Sequence, residues 1–304
     1  MFGFGGLIAA MVFQMPEGLP AHLLSDPVVA GTHDYCEEPV PDDVLALARE
    51  ALTRDKTDIH PRERAAAALV TAGMDIAAAQ PEGTSDCYAL FAAGSNRLAD
   101  ALEPHENRLR RESRFRESRD PDIARIQVML RDLWVTDQAG RLAYLQLNTE
   151  DRTGEAWWAY RRATAHVIAN DYNATEGLRE ALELYDWIDR ERFGARTSSQ
   201  AWLIAQHADH DPDFQRDALS RMEPYLESGG VRRQDYAYLW DRAAVNTGQL
   251  QRYGTQPMDA CNADGTLDLK PVEDPDTLDA RRGTMGLGPV QRDLDQMAAQ
   301  RCGG

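Results

Sequence analysis

Residues 201–205 read Ala-Trp-Leu-Ile-Ala, apolar on every side of a helix. That pattern means deep burial rather than a surface amphipath, so the rest of the chain must be arranged to cover it. Gln206 and His207 follow at once. His207 lies four residues after Leu203 and shares its face, which the pattern predicts to point inward. A buried glutamine and histidine need hydrogen-bond partners, because each group left unpaired costs roughly 1–3 kcal/mol.

Two more helices are predicted after this one. Asp211-Pro212 is an N-cap followed by proline in the first turn, with Phe214, Ala218, Met222 and Tyr225 on one face and Gly229-Gly230 beyond the end. Asp235 is positioned to cap a third helix, with Tyr236, Leu239, Trp240 and Ala243 inward and Gly248 as its stop. Upstream, helices are expected over Pro41–Arg54, Pro61–Ala79, Gly83–Ala101, Asp122–Leu147, Glu155–Ile168 and Thr175–Trp187. In the helix from Asp122, Arg141 lies four residues after Asp137, so the two can pair. Few segments alternate with period two. The expected fold is all-α, an irregular multi-helix array. From Gln256 onward the chain turns to loop, with Pro257, Pro271 and Pro275, and is expected to form a strap with short strands near 265–272 and short helices over 277–282 and 289–299.

The expected organisation is a signal or anchor segment over 1–21, an N-terminal helical region over 22–103 with 22–41 as loop, a charged linker over 104–121, and a C-terminal helical domain over 122–304 that holds the polar site. Residues 1–15 carry no charged side chain, and the apolar run is too short to span a bilayer. Four cysteines, none in CxxC spacing, exclude a zinc ribbon. An exported chain would pair them, and the expected pairs are Cys36–Cys87 and Cys261–Cys302. The alternative is a cytoplasmic protein with four thiols. Export makes the expected location periplasmic or secreted. The formal charge of −17 argues against nucleic acid and against anionic lipid surfaces.

Several short motifs recur together. They are Gln206-His207-x-Asp209, Phe214-Gln215, Leu239-x-Asp241-Arg242, Tyr253-Gly254-Thr255-Gln256 and Asp279-x-Arg281-Arg282, with Asp137-Gln138, Arg141, Trp187 and Phe193-Gly194 upstream. In these the chain resembles a bacterial family of unknown function, over roughly residues 125–292. The resemblance supplies a boundary and a set of residues but no mechanism. Where the family pattern has Gly-Trp-Pro, this chain has Asp186-Trp187-Ile188.

The candidate catalytic residues are His207, as a general base oriented by Asp209 or Asp241, with Asp241 and Arg242 as a charge pair that orients substrate. Candidate ligand-binding residues are Gln206, Asp209, Tyr253, Thr255, Gln256, Arg281 and Arg282. The 253–256 turn offers backbone N–H groups to an anion. His207, His210 and Asp211 have metal-ligand spacing, but the Asp-Pro step breaks the helix there and no HExxH occurs, so no metal and no cofactor are expected. Two functions are open: a hydrolase- or lyase-type enzyme acting on a small, anionic molecule through a His/Asp/Arg pocket, and a non-catalytic ligand-binding or scaffold protein of the cell envelope.

Overall fold

A computed structural model describes residues 19–54, 59–80 and 84–302. Most of the expected signal or anchor segment therefore lies outside the described residues. Among those described, the chain forms twelve α-helices and no strand. The all-α expectation holds. The strands expected near 265–272 reduce to two isolated bridges, Gln251 with Val272 and Pro257 with Leu269.

Five helices make the N-terminal part: α1 (Leu19–Ser25), α2 (Pro27–Thr32), α3 (Asp42–Thr53), α4 (Pro61–Ala78) and α5 (Thr84–Glu112). The loop expected over 22–41 is in part α1 and α2. Asp26 caps α2 by accepting from the Val28 N–H at 2.8 Å, with Pro27 in the first turn. This is the same Asp-Pro start signal as Asp211-Pro212. The charged run 104–121 also differs from a plain linker. Residues 104–112 are the last turns of α5, where Leu109 packs on Val135 and Ala139, and only 113–120 form a connection.

The remaining helices are α6 (Pro121–Leu147), α7 (Gly154–Leu184), α8 (Arg190–His207), α9 (Pro212–Met222), α10 (Arg233–Asn246), α11 (Leu278–Thr284) and α12 (Val290–Arg301). Helix α7 is one rod of 31 residues, not the two helices expected. The polar run Asn170-Asp171-Tyr172-Asn173 looks like a break in the sequence but sits mid-helix. Its cost is offset by packing, since α7 serves the two largest hydrophobic cores. Trp158 and Ala165 near its start join the N-terminal core around Leu69, Val70 and Tyr35. Ala174, Leu178, Ala181 and Leu182 near its end join the C-terminal core with Ile126, Leu130, Trp187, Phe193, Ile204 and Phe214. A helix anchored at both ends tolerates a polar middle.

Helix α8 is kinked at Gly194, whose φ of 83° and ψ of 155° are open to glycine alone. The kink releases the Phe193 carbonyl, and the buried Gln127 side chain of α6 donates to it at 2.9 Å. Asp211 caps α9 as expected, accepting from the Phe214 N–H at 2.9 Å. Asp235 does not cap α10. The helix starts two residues earlier, at Arg233, and Asp235 is buried inside its first turn beside Arg232.

Both cysteine pairs form as expected: Cys36–Cys87 and Cys261–Cys302, with Cα–Cα separations of 6.1 and 5.9 Å. The first ties the segment after α2 to α5. The second ties the strap to the end of α12. Among the described residues no helix is long and apolar enough to cross a membrane.

Candidate functional site

The stretch 201–205 is buried on one side only. Ala201, Ile204 and Ala205 are in the core, while Trp202 and Leu203 are half-buried. His207 follows the Leu203 side, which explains why its side chain remains 15% exposed. Its partner is Asp137 of α6, neither Asp209 nor Asp241. The His207 Nδ1 lies 3.0 and 3.1 Å from the two Asp137 oxygens. The Arg141 Nε also faces His207 Nδ1 at 3.2 Å, but it lies closer to Asp137, at 2.9 Å, and a proton on Nδ1 avoids setting a lone pair against the carboxylate. That proton is donated to Asp137, and Nε2 is left with no hydrogen bond among the described residues.

Two further groups complete the cluster. Arg141, one turn along α6, donates from Nε to Asp137 at 2.9 Å and from Nη2 to Asp171 of α7. Gln138 donates to Asp137 at 2.7 Å. Asp137 is almost wholly buried, whereas Asp171 and Arg141 keep 17% and 31% of their side chains exposed. The two carboxylates are pushed in opposite directions. Burial raises Asp137, but the hydrogen bond and charge of His207 and the charge of Arg141 outweigh it and bring its pKa to about 2. Burial also raises Asp171, and there Arg141 offsets it only in part while Asp137 adds repulsion, so its pKa reaches about 7. Two neighbouring acids with opposite shifts are the pattern of an acid/base pair.

The same three side chains have the make-up of a metal centre. One ligand atom each from Asp137, Asp171 and His207 lies within 4.8 Å of the others. The Arg141 guanidinium already bridges the two carboxylates and supplies positive charge at that place, so a metal ion would have to displace it.

The other expected site residues sit in two different clusters. Arg242 makes a two-pronged ion pair with Asp209, with Nε to Oδ1 at 2.7 Å. Asn246 donates to the same Asp209 oxygen at 2.8 Å and to Gln215 at 3.1 Å. Gln215 in turn donates to the Ala205 carbonyl at 3.2 Å. This network fastens the end of α8 to α9 and α10. Gln206 reaches the Tyr238 carbonyl only at 3.5 Å, and its own side-chain oxygen is buried without a partner.

Asp241 lies under the strap. It is fully buried and accepts backbone N–H bonds from Arg252, Tyr253 and Thr255 at 2.8, 2.9 and 2.8 Å. The anion expected in the 253–256 turn is thus the chain's own carboxylate. Burial pushes Asp241 above the ordinary carboxylate range, and the three N–H groups partly offset that. Gly254 takes φ of 60° at the centre of the turn, where an added Cβ would press on Leu269 and Leu278 at 3.1 and 3.2 Å. Gln256 is held by Gln251, whose Oε1 accepts its N–H at 2.6 Å, and donates to the Thr255 hydroxyl at 3.2 Å. Arg282, fully buried, donates to the carbonyls of Tyr253 at 2.7 Å, Gly254 at 3.1 Å and Gly288 at 2.7 Å, and pairs with Asp293. Arg281 donates to Arg252, Asp274 and Glu273 carbonyls. The donors of both arginines are taken up by the strap itself. His207 and the residues expected to share its pocket therefore fall into three separate networks.

The matched region now has a structural setting. A family model described as a family of unknown function, DUF6624, matches residues 144–299. The chain belongs to the DUF6624 family. This agrees with the resemblance read from the motifs. The match takes in α7 to α12, hence Asp171, His207, Asp209, Asp241 and Arg282, and begins just after Asp137 and Arg141. No curated protein and no solved structure matches the chain.

Asp171 is the site residue that the sequence pattern hides. Its one signal is the polar run Asn170–Asn173 in an otherwise helical stretch.

Proposed function

We propose that this DUF6624 protein is an exported enzyme of hydrolase or lyase type, with its proton-transfer site at His207, Asp137, Asp171 and Arg141. The observation that carries this reading is the pair of acids, one lowered to about 2 and the other raised to about 7, around a histidine whose Nε2 is uncommitted. In this reading Nε2 takes a proton from water or from a substrate carbon. The Asp137 carboxylate orients the ring and stabilises the cation that forms. Asp171, poised near neutral pH, returns a proton to the leaving group. Arg141 uses its exposed edge to hold an anionic substrate group. The two disulfides favour an oxidising compartment, periplasmic or secreted.

A second reading has its own support. The Asp241 and Arg282 networks are saturated internally, as a non-catalytic envelope scaffold or ligand-binding protein would require. We assign those residues, together with Arg242, to fixing the strap and the helix ends, and keep chemistry for the His207 cluster.

The test is a panel of chromogenic esters, phosphate esters and glycosides offered to the wild type, His207→Asn and Asp171→Asn. Turnover of one class that both variants lose at unchanged melting temperature supports the enzyme. Equal rates in all three proteins, or a melting temperature several degrees lower in His207→Asn, favour the scaffold.

A further inference from the structure

A cavity of about 530 Å³ opens between α4 and α7, lined by no residue of the His207 or strap networks. Its apolar walls are Leu52 of α3, Ala65, Ala68 and Ala72 of α4, and Trp157 and Ile168 of α7. The space exists because α4 is alanine-rich where it faces α7, so short side chains leave a gap that leucines would fill. The lining also holds polar groups without partners. The Arg161 guanidinium lies 5.2 Å above the Trp157 ring, and no carboxylate pairs with it among the described residues. Its Nε is buried without a hydrogen-bond partner, and so is the Thr71 hydroxyl. Arg64, also in the lining, spends its guanidinium on the Arg54 and Leu52 carbonyls. Asp75 is the one acid in the lining, and it is exposed and paired with Arg49 at 3.0 Å.

A half-buried cation with no counter-ion among the described residues is costly, and notable in a protein of net charge −17. Alanine walls, an aromatic ring and two unmatched donors in the lining fit one ligand class. We propose that this cavity binds an amphipathic anion, a medium-chain monocarboxylate, with its carboxylate on Arg161 and Thr71 and its tail along the alanines of α4. The volume lies in the range of small-molecule sites. Most of the wall comes from α3 and α4, which precede the family-matched region, so this ligand is a property of the whole chain and does not depend on the chemistry assigned to His207.

The test is calorimetric titration of the full chain with decanoate, decanol and decyltrimethylammonium, each below its micelle-forming concentration. Decanoate is expected to saturate one site, decanol to bind at least tenfold more weakly and the cation not at all. Arg161→Gln is expected to bring decanoate down to the affinity of decanol while its melting temperature holds or rises, since an uncompensated cation has been removed. Ala68→Leu, which sets an isobutyl group in the path of the tail, is expected to weaken binding of both at least tenfold. No saturable decanoate binding, equal affinity in Arg161→Gln, or unchanged binding in Ala68→Leu overturns the proposal. So does a melting temperature several degrees lower in Arg161→Gln, which would make the arginine a structural group.

Discussion

The protein holds two buried aspartates in opposite ways. Asp241 is fully buried and fixed by three backbone N–H groups of a single turn. Asp137 is fixed by three side chains, from His207, Arg141 and Gln138, in a cluster whose outer members still touch solvent. The first arrangement orders the strap and leaves nothing to react. The second leaves one imidazole nitrogen without a partner and one acid, Asp171, raised to about 7. Groups satisfied by backbone are structural anchors, whereas groups satisfied by each other's side chains can exchange partners, which is what chemistry requires.

The sharpest way to break that contrast is to remove the anchor. Asp241→Ala strands three backbone N–H groups in a fully buried place, and the expected loss is about 3–5 kcal/mol, measured by chemical denaturation. Arg282→Lys should follow in the same direction, because a lysine keeps the charge but cannot reach the Tyr253, Gly254 and Gly288 carbonyls together. If Asp241→Ala cost less than about 1 kcal/mol, the strap would be held by something other than this carboxylate.

The strap's covalent tie comes next. Replacing Cys261 and Cys302 by serine frees a loop with a sequence separation of 41 residues, and about 2–4 kcal/mol of stability should go with it. The loss should localise. Amide exchange is expected to quicken over 257–275 and to stay slow in α6 and α7, where the His207 cluster sits.

How much of this was legible beforehand follows from the kind of contact involved. Helices are local, so α3, α4, α6 and α9 could be read from caps and periodicity. The strap's disulfide was legible because cysteines carry their chemistry with them. Partner choice was not. Asp137 and Arg141 showed themselves as an i,i+4 pair, but nothing in the spacing says that His207, 70 residues away, joins them instead of its near neighbours Asp209 and Asp241. Proximity in sequence favoured the wrong carboxylates. Asp171 was masked by a second effect. Its polar neighbours imitate a helix break, and only the two cores at either end of α7 keep the rod continuous. Likewise the 253–256 turn announced an anion site correctly, while the identity of the anion lay in the tertiary fold.

Opposite pH windows separate the two acids of the His207 cluster. Asp137 is lowered to about 2, so its contribution is present above the unfolded value near 4 and is lost as pH falls toward 2. Asp171 is raised to about 7, so the unfolded chain gives up this proton first, and stability falls as pH rises from about 4 to about 7. Between pH 5 and 8 the wild type should lose about 1–3 kcal/mol from Asp171, with Arg141 limiting the loss. Asp171→Asn should flatten that slope and be the more stable protein at pH 8. Unfolding free energies at pH 5, 6.5 and 8 decide it, and parallel curves for the two proteins would return Asp171 to an ordinary surface acid.

The smallest effect on stability is the most telling for function. His207→Asn deletes the imidazole yet leaves Asp137 with Arg141 at 2.9 Å and Gln138 at 2.7 Å, so the carboxylate remains paired and charged. The new side chain is short, and the space it leaves borders solvent, where water can replace the lost donor. The expected cost is under about 1 kcal/mol, against several for Asp241→Ala, although both substitutions strike a buried aspartate's network. If the cluster were a structural anchor like the one beneath the strap, the two variants would be destabilised alike. Matching denaturation curves for wild type and His207→Asn, together with loss of turnover, would mean that the histidine is retained for its free nitrogen and not for the fold.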